Sequence, residues 1–130
     1  MTDNARRIRL ILDTSAIVAY AQGCSQVAAP LTEVDAQEAA VGLPIHCLAE
    51  AGWTIRDLDR LDLLVNHRAT QVINAPDDWS ALSAALDIVG RHDAAAALRS
   101  AIDFDCAVLT AQPRLYEGMA GGGPVIAIAR

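Results

Sequence analysis

The stretch that decides the fold is Leu10-Ile11-Leu12-Asp13-Thr14-Ser15-Ala16. Together with Ile8, its first three residues make a short, nearly continuous apolar run, which is typical of a strand buried on both faces. Thr14 and Ser15 are favourable N-cap residues for an apolar helix that Gly23 ends. The stretch therefore predicts a buried strand, a tight turn and a helix, with Asp13 at the carboxyl end of the strand.

Outward from this unit, short apolar runs alternate with segments of helical periodicity. Further strands are predicted at 40–43, 70–73, 106–110 and 124–129, and further helices at 25–39, from Pro44, at 58–66, at 79–89 and at 94–104. Pro30 is expected to interrupt the helix at 25–39, and residues 118–123 to form a flexible loop. This alternation predicts an α/β fold, with an open parallel sheet covered on both faces. A length of 130 residues fits one domain spanning 1–130.

The charge balance is acidic. Sixteen acidic residues oppose ten basic ones, all of them arginine, and the formal net charge is -6. Such a balance argues against nucleic-acid binding through a basic stripe, although metal ions could neutralise a carboxylate cluster. Cys24, Cys47 and Cys106 form no zinc-ligand pattern and predict reduced, mostly buried thiols in a cytoplasmic protein. No apolar run approaches the roughly 20 residues that a membrane span needs.

Three acids from distant parts of the sequence are candidate site residues. Asp13 follows a strand, where the ligand clefts of open α/β sheets lie. Glu50 is in mid-helix within the apolar segment 47–51, where a buried carboxylate would need a cation or a donor such as His46. Asp93 is in the first turn of a helix, where exposed amides favour a negative charge. Each acid alone has a structural explanation, but together they are hard oxygen ligands of the kind that Mg²⁺ and Mn²⁺ prefer.

Four blocks, in order, resemble the motifs of PIN domains, most closely those of the small bacterial toxin members, the VapC-like proteins. They are the stretch 10–16, Leu48-Ala49-Glu50-Ala51, His92-Asp93-Ala94-Ala95 and Leu109-Thr110-Ala111-Gln112-Pro113-Arg114-Leu115-Tyr116. The resemblance implies a three-layer α/β/α fold with a five-stranded parallel sheet, and a ribonuclease that depends on Mg²⁺ or Mn²⁺. RNA is then the expected substrate, and an antitoxin protein and a homodimer are the expected assemblies.

The resemblance also implies a role for each matching position. Asp13, Glu50 and Asp93 are the implied catalytic and metal-binding residues, which hold an ion that activates water and stabilises charge on the scissile phosphate. Ser15 and Thr110 are the implied supporting residues, which position water in the site.

Gln112 departs from the family pattern, because it stands where the usual Thr-x-Asp motif has its acid. An amide oxygen can coordinate a metal but brings no charge, so a second ion should bind less tightly. Arg114, beside this motif, is the candidate RNA contact. The departure favours an alternative, a catalytically weakened or inactive PIN-fold binding or regulatory module.

A second alternative is a receiver-like phosphoacceptor domain, which also has an Asp at a strand end in an open α/β sheet. By resemblance, such domains use an early acidic pair and a late Lys. This sequence has neither.

Overall fold

The computed structural model describes residues 6–75, 77–119 and 125–128. Strands and helices alternate along the chain, because short apolar runs are buried as strands while longer amphipathic segments cover them. The elements are β1 (Ile8–Leu12), α1 (Thr14–Ala21), α2 (Ser25–Ala36), β2 (Ala40–Pro44), α3 (Ile45–Ile55), α4 (Leu58–Val65), β3 (Thr70–Ile73), α5 (Trp79–Val89), α6 (His92–Phe104), β4 (Ala107–Thr110), a 3-10 turn (Pro113–Tyr116) and β5 (Val125–Ala127).

The strands form a five-stranded sheet in the order β3-β2-β1-β4-β5, with every pairing parallel. The central strand β1 pairs with β2 through Leu10 and Val41, and with β4 through Ile11 and Val108. The strand order switches direction between β1 and β4, and ligand crevices of open α/β sheets lie beyond the carboxyl ends at such a point. The predicted parallel α/β architecture is confirmed.

The sheet order also excludes the receiver-like alternative. In receiver-like sheets the third strand pairs with the first. Here β3 pairs with β2, and β4 is the second neighbour of β1.

Helix α6 packs on the centre of the sheet. It contacts β1, β2 and β4, and its segment 94–98, four alanines and a leucine, is buried. Small alanine side chains let the helix backbone approach the strands closely. This packing brings the start of α6, with Asp93, beside the carboxyl end of β1.

Several predicted boundaries are wrong. Pro30 does not interrupt a helix, because α2 continues through it and buries residues on both sides of the proline. The same helix ends at Ala36, and Glu38 then takes a left-handed conformation with a φ of 57°. Helix α6 begins at His92 rather than at residue 94, and β4 begins one residue later than predicted. From the predicted loop at 118–123 and strand at 124–129, residues 120–124 and 129 lie outside the described residues.

The apolar residues of α3 divide between two faces. Cys47 and Ala51 are buried in the core. The other face lines a groove of about 510 Å³ between α3 and α4, and Trp53 on it is 69% exposed. The helical periodicity of the sequence places four apolar residues on one face, and they lie together along this groove: Ile45, Leu48, Ala49 and Trp53.

None of the helices in the described part of the chain combines the length and apolar character that a membrane span requires.

Candidate functional site

Asp13 lies at the switch point of the sheet, immediately after β1. Its backbone N–H donates to the carbonyl of Leu109 in β4 at 3.3 Å, and its side chain caps α1 by accepting from the N–H of Ala16 at 3.1 Å. Ser15 Oγ donates to the same oxygen, Oδ1, at 2.7 Å, and Tyr116 OH donates to Oδ2 at 2.8 Å. Asp13 is only 3% exposed. Among the described residues its donors are all neutral, so its charge has no ion-pair partner there.

A hydroxyl network joins Asp13 to the end of β4. Ser15 Oγ accepts from the N–H of Ala111 at 2.8 Å and lies 3.2 Å from Thr110 Oγ1. Because the single proton of Ser15 goes to Asp13, Thr110 must donate to Ser15. Thr110 Oγ1 in turn accepts from the N–H of Gln112 at 2.9 Å. Both predicted supporting hydroxyls therefore orient Asp13 and the turn after β4.

Asp93 is the second buried carboxylate. Thr14 Oγ1 donates to its Oδ2 at 2.6 Å. Arg91 donates from Nε to Oδ1 at 3.1 Å and from Nη2 to Oδ2 at 3.0 Å, which makes a bidentate ion pair. Burial opposes ionisation of Asp93, but the Thr14 and Arg91 hydrogen bonds outweigh it and hold its pKa below the ordinary value.

Both buried carboxylates lie near the thiol of Cys47. The thiol of Cys47 donates to the main-chain carbonyl of Asp93 at 3.1 Å. Burial raises the pKa of Cys47, and the nearby charges of Asp13 and Asp93 raise it further. Burial and the Asp13 carboxylate likewise raise the pKa of Tyr116, so its hydroxyl stays protonated and can only donate to Asp13.

Glu50 lies at the mouth of the site rather than on its floor. It is exposed, and it shares a cavity of about 320 Å³ with Thr14, Ser15, Arg91 and Gln112 among its lining residues. The expectation of a desolvated Glu50 is wrong, because it lies on the solvent side of α3. His46 is exposed as well and makes no hydrogen bond to Glu50.

A second cavity, of about 520 Å³, adjoins the first. Arg91 and Gln112 line both, and Arg114 lines the second together with Pro113 and Leu115. Among the described residues, two arginines and no acid line this second cavity, which makes it the positive part of the cleft, whereas Glu50 lines the first cavity.

The donors fit a hard divalent cation in kind. The oxygens that face this region are carboxylate, amide and hydroxyl oxygens, which Mg²⁺ and Mn²⁺ prefer. Within the described part of the chain, a single guanidinium, that of Arg91, is ion-paired with these two buried carboxylates. The donors do not converge as they stand: across the described residues, no group of three or more His, Cys, Asp or Glu side chains is close enough to hold a metal ion.

Three residues that contact the acids were not foreseen from the sequence. The sequence indicates Thr14 only as a helix cap and Tyr116 only as part of a motif block, and it assigns no role to Arg91. The position of Arg91, two residues before Asp93, was the one local signal available. The partnership of Tyr116 with Asp13 spans 103 positions and depends on the tertiary fold.

Solved structures share this architecture. VapBC2 from Rickettsia felis, bound to a DNA fragment from its promoter, superposes with a TM-score of 0.68 at 14% sequence identity, over 92% of this chain and 98% of that one. PAE2754 from Pyrobaculum aerophilum gives a TM-score of 0.61 at 17% identity, over 95% and 87% of the two chains. No protein-family model matches the chain, and no curated protein matches it in sequence.

The strand order and the layers of helices define a PIN-like three-layer α/β/α fold. The likeness to VapBC2 and PAE2754 shows the fold that the resemblance to VapC-like PIN domains implies. At these sequence identities the likeness shows the fold alone, because one fold can host many activities.

Proposed function

We propose that the protein is an Mg²⁺- or Mn²⁺-dependent endoribonuclease of the toxin-antitoxin PIN type that hydrolyses RNA phosphodiester bonds. One observation carries the proposal: Asp13 and Asp93 form a buried pair of carboxylates at the switch point of the sheet, below a cleft that Glu50 lines. The likeness in fold to VapBC2 supports the proposal.

Each residue has a definite part in this proposal. Asp13, Asp93 and Glu50 would hold the cation, and Gln112 could add its amide oxygen. The bound cation would stabilise charge on the phosphate and make water more acidic. Ser15, Thr14 and Tyr116 hold the two buried carboxylates in a fixed orientation through the hydrogen bonds described above. Arg114 is the proposed RNA contact, because it lines the positive part of the cleft.

The first test is cleavage of a mixed RNA pool with Mn²⁺, with and without a chelator, by the wild type, Asp13→Asn and Gln112→Asp. We expect cleavage that the chelator abolishes, and a loss of at least about 100-fold in Asp13→Asn, because the neutral amide removes one of the buried ligand charges. Gln112→Asp should increase the rate and the Mn²⁺ affinity, because it adds a carboxylate at the cleft. RNA cleavage by Asp13→Asn at the wild-type rate would remove the basis of the proposal.

The same experiment tests the alternative of a catalytically weakened or inactive binding module. Gln112 in place of an acid, and the Arg91 ion pair on Asp93, are the features that would weaken catalysis. An inactive wild type together with an active Gln112→Asp would establish that alternative.

An antitoxin protein and a homodimer remain proposals for this chain. The likeness to VapBC2, which was solved bound to a DNA fragment from its promoter, supports the antitoxin. Copurification with the product of a neighbouring small gene would test the partner protein. Light scattering during size-exclusion chromatography would test the homodimer.

A further inference from the structure

Arg91 stands between the open cleft and the carboxylate of Asp93. Its Nε and Nη2 donate to the two different oxygens of that carboxylate, so the guanidinium fork lies along the carboxylate edge. Arg91 lines both cavities of the cleft, whereas Asp93 lines neither. The guanidinium therefore covers the side of Asp93 that faces the cleft.

The ion pair can open without repacking the fold. Arg91 immediately precedes α6 and is only two residues from Asp93. Its side chain is 45% exposed, against 11% for that of Asp93. Among the described residues Asp93 is the one ion-pair partner of Arg91, so a turn of the arginine into the cleft breaks two hydrogen bonds, and Thr14 continues to hold Asp93.

We propose that Arg91 is a built-in counter-cation that competes with a divalent ion for Asp93, so that it must leave this carboxylate before the ion binds. The nature of the ion rests on the proposed function. Arg91 donates along the carboxylate edge, where a hard cation would also bind, so the guanidinium and the ion exclude each other. The apparent association constant for the ion is then the intrinsic constant multiplied by the fraction of molecules in which the pair is open.

Calorimetric titration of the full chain with Mn²⁺ tests this competition. We expect Arg91→Gln to bind Mn²⁺ at least about tenfold more tightly than the wild type, a change equivalent to about 1.4 kcal/mol. Arg114→Gln is the matched control, since it removes the same charge from the same cleft but Arg114 makes no hydrogen bond or ion pair with Asp93. That control should change the affinity by about twofold or less, because solvent and salt screen an exposed charge that is not in contact with the ligands.

Arg91→Lys provides a second arm that keeps the charge but lacks the bidentate fork. Its Mn²⁺ affinity should fall between those of the wild type and Arg91→Gln, and circular dichroism would verify that each variant is folded. If Arg91→Gln is not folded, a tighter Arg91→Lys still supports the competition, and an Arg91→Lys no tighter than the wild type overturns it. Equal Mn²⁺ affinities of the wild type and folded Arg91→Gln, equal gains in Arg91→Gln and Arg114→Gln, or no Mn²⁺ binding in any variant would each overturn the proposal.

RNA cleavage separates this inference from the proposed function. A wild type that cleaves RNA with Mn²⁺, while Arg91→Gln has unchanged Mn²⁺ affinity, would leave the function standing without the competition. Tighter Mn²⁺ binding by Arg91→Gln, with no cleavage by any variant, would support the competition and contradict the nuclease.

Discussion

The Tyr116 hydroxyl fixes one oxygen of a carboxylate that has almost no access to water. It donates to Asp13 Oδ2 at 2.8 Å, and both residues are buried. Tyr116→Phe removes this donor while keeping the ring, and leaves a charged oxygen buried without its partner. We expect a loss of about 1.5–3 kcal/mol in the free energy of unfolding, the range for hydrogen bonds to charged groups. Urea unfolding of the two proteins would measure it.

Tyr20→Phe is the matched control for this change. Tyr20 is half-buried, and its hydroxyl makes no hydrogen bond within the described part of the chain. The same loss of one oxygen should therefore alter the free energy of unfolding by less than about 0.5 kcal/mol. Equal losses in the two variants would mean that the contact with Asp13 contributes nothing specific.

The difference between Asp13 and Tyr116 also shows how far sequence can predict a site at the scale of residues. Asp13 was predictable, because an acid that directly follows an apolar strand lies at the carboxyl end of that strand. The sequence predicts nothing comparable for Tyr116, whose apolar ring and single hydroxyl suit a core or a surface equally. Arg91 lay between these cases, since its proximity to Asp93 was visible but the side-chain geometry was not.

Among the elements, β2 is packed so closely that it has no room for a side chain at Gly42. A Cβ at that position would lie 2.5 Å from Ile73 Cδ1 and 2.8 Å from Ile11 Cδ1. These atoms are the ends of two isoleucine side chains, Ile73 half-buried and Ile11 fully buried, which must rotate to admit the methyl group, so Gly42→Ala should destabilise the protein by about 1–3 kcal/mol. Chemical denaturation would measure the loss in the free energy of unfolding. An unchanged midpoint would show that the core has space for the added methyl group.

Gly52→Ala is the opposite case and serves as the comparison. Gly52 lies inside α3, and an added Cβ would meet Leu61 Cδ1 at 3.5 Å, an ordinary contact. Alanine is favoured over glycine inside a helix by about 0.5–1 kcal/mol. We therefore expect Gly52→Ala to raise the denaturation midpoint, and a lowered midpoint would indicate that α3 and α4 are packed more tightly than the distances suggest.

Helix α3 also shows why element positions were easier to predict than burial. Its 3.6-residue periodicity placed Ile45 and Trp53 on one face correctly. Periodicity could not decide whether that face met the core, because Cys47 and Ala51 form a second apolar face on the same helix. The face with the smaller side chains packs toward α1 and α6, and Trp53 is left on the groove toward α4.

Over the whole molecule, one acidic residue links segments that precede two different strands. Asp35 near the end of α2 accepts from Arg6, before β1, at 2.8 Å. Arg68, before β3, donates to it through Nε and Nη2 at 3.0 and 2.9 Å. These contacts tie the amino-terminal edges of the sheet to a helix that covers it.

The Asp35 cluster should give the folded protein a defined acid response. Hydrogen bonds from Arg68 and then Arg6 lower the pKa of Asp35 from 3.8 to about 2. Because the folded-state pKa is the lower one, the stabilisation is fully present above the unfolded value of about 3.9 and is lost as the pH falls toward about 2. Urea unfolding at a series of pH values should show this loss in the wild type, and Asp35→Asn should show a smaller slope between about pH 4 and pH 2.

Arg68→Gln and Arg60→Gln distinguish the ion pair from a general effect of charge. Arg68→Gln removes the strongest donor to Asp35 and brings its folded-state pKa closer to the unfolded value, so the stability lost between about pH 4 and pH 2 should be smaller than in the wild type. Arg60 is exposed on α4 and has no ion pair among the described residues, so Arg60→Gln removes one positive charge without touching Asp35. If both variants reduce the stability lost between about pH 4 and pH 2 by the same amount, net charge rather than the Asp35 cluster determines that loss. The cluster is then not the acid-sensitive link between the two strands.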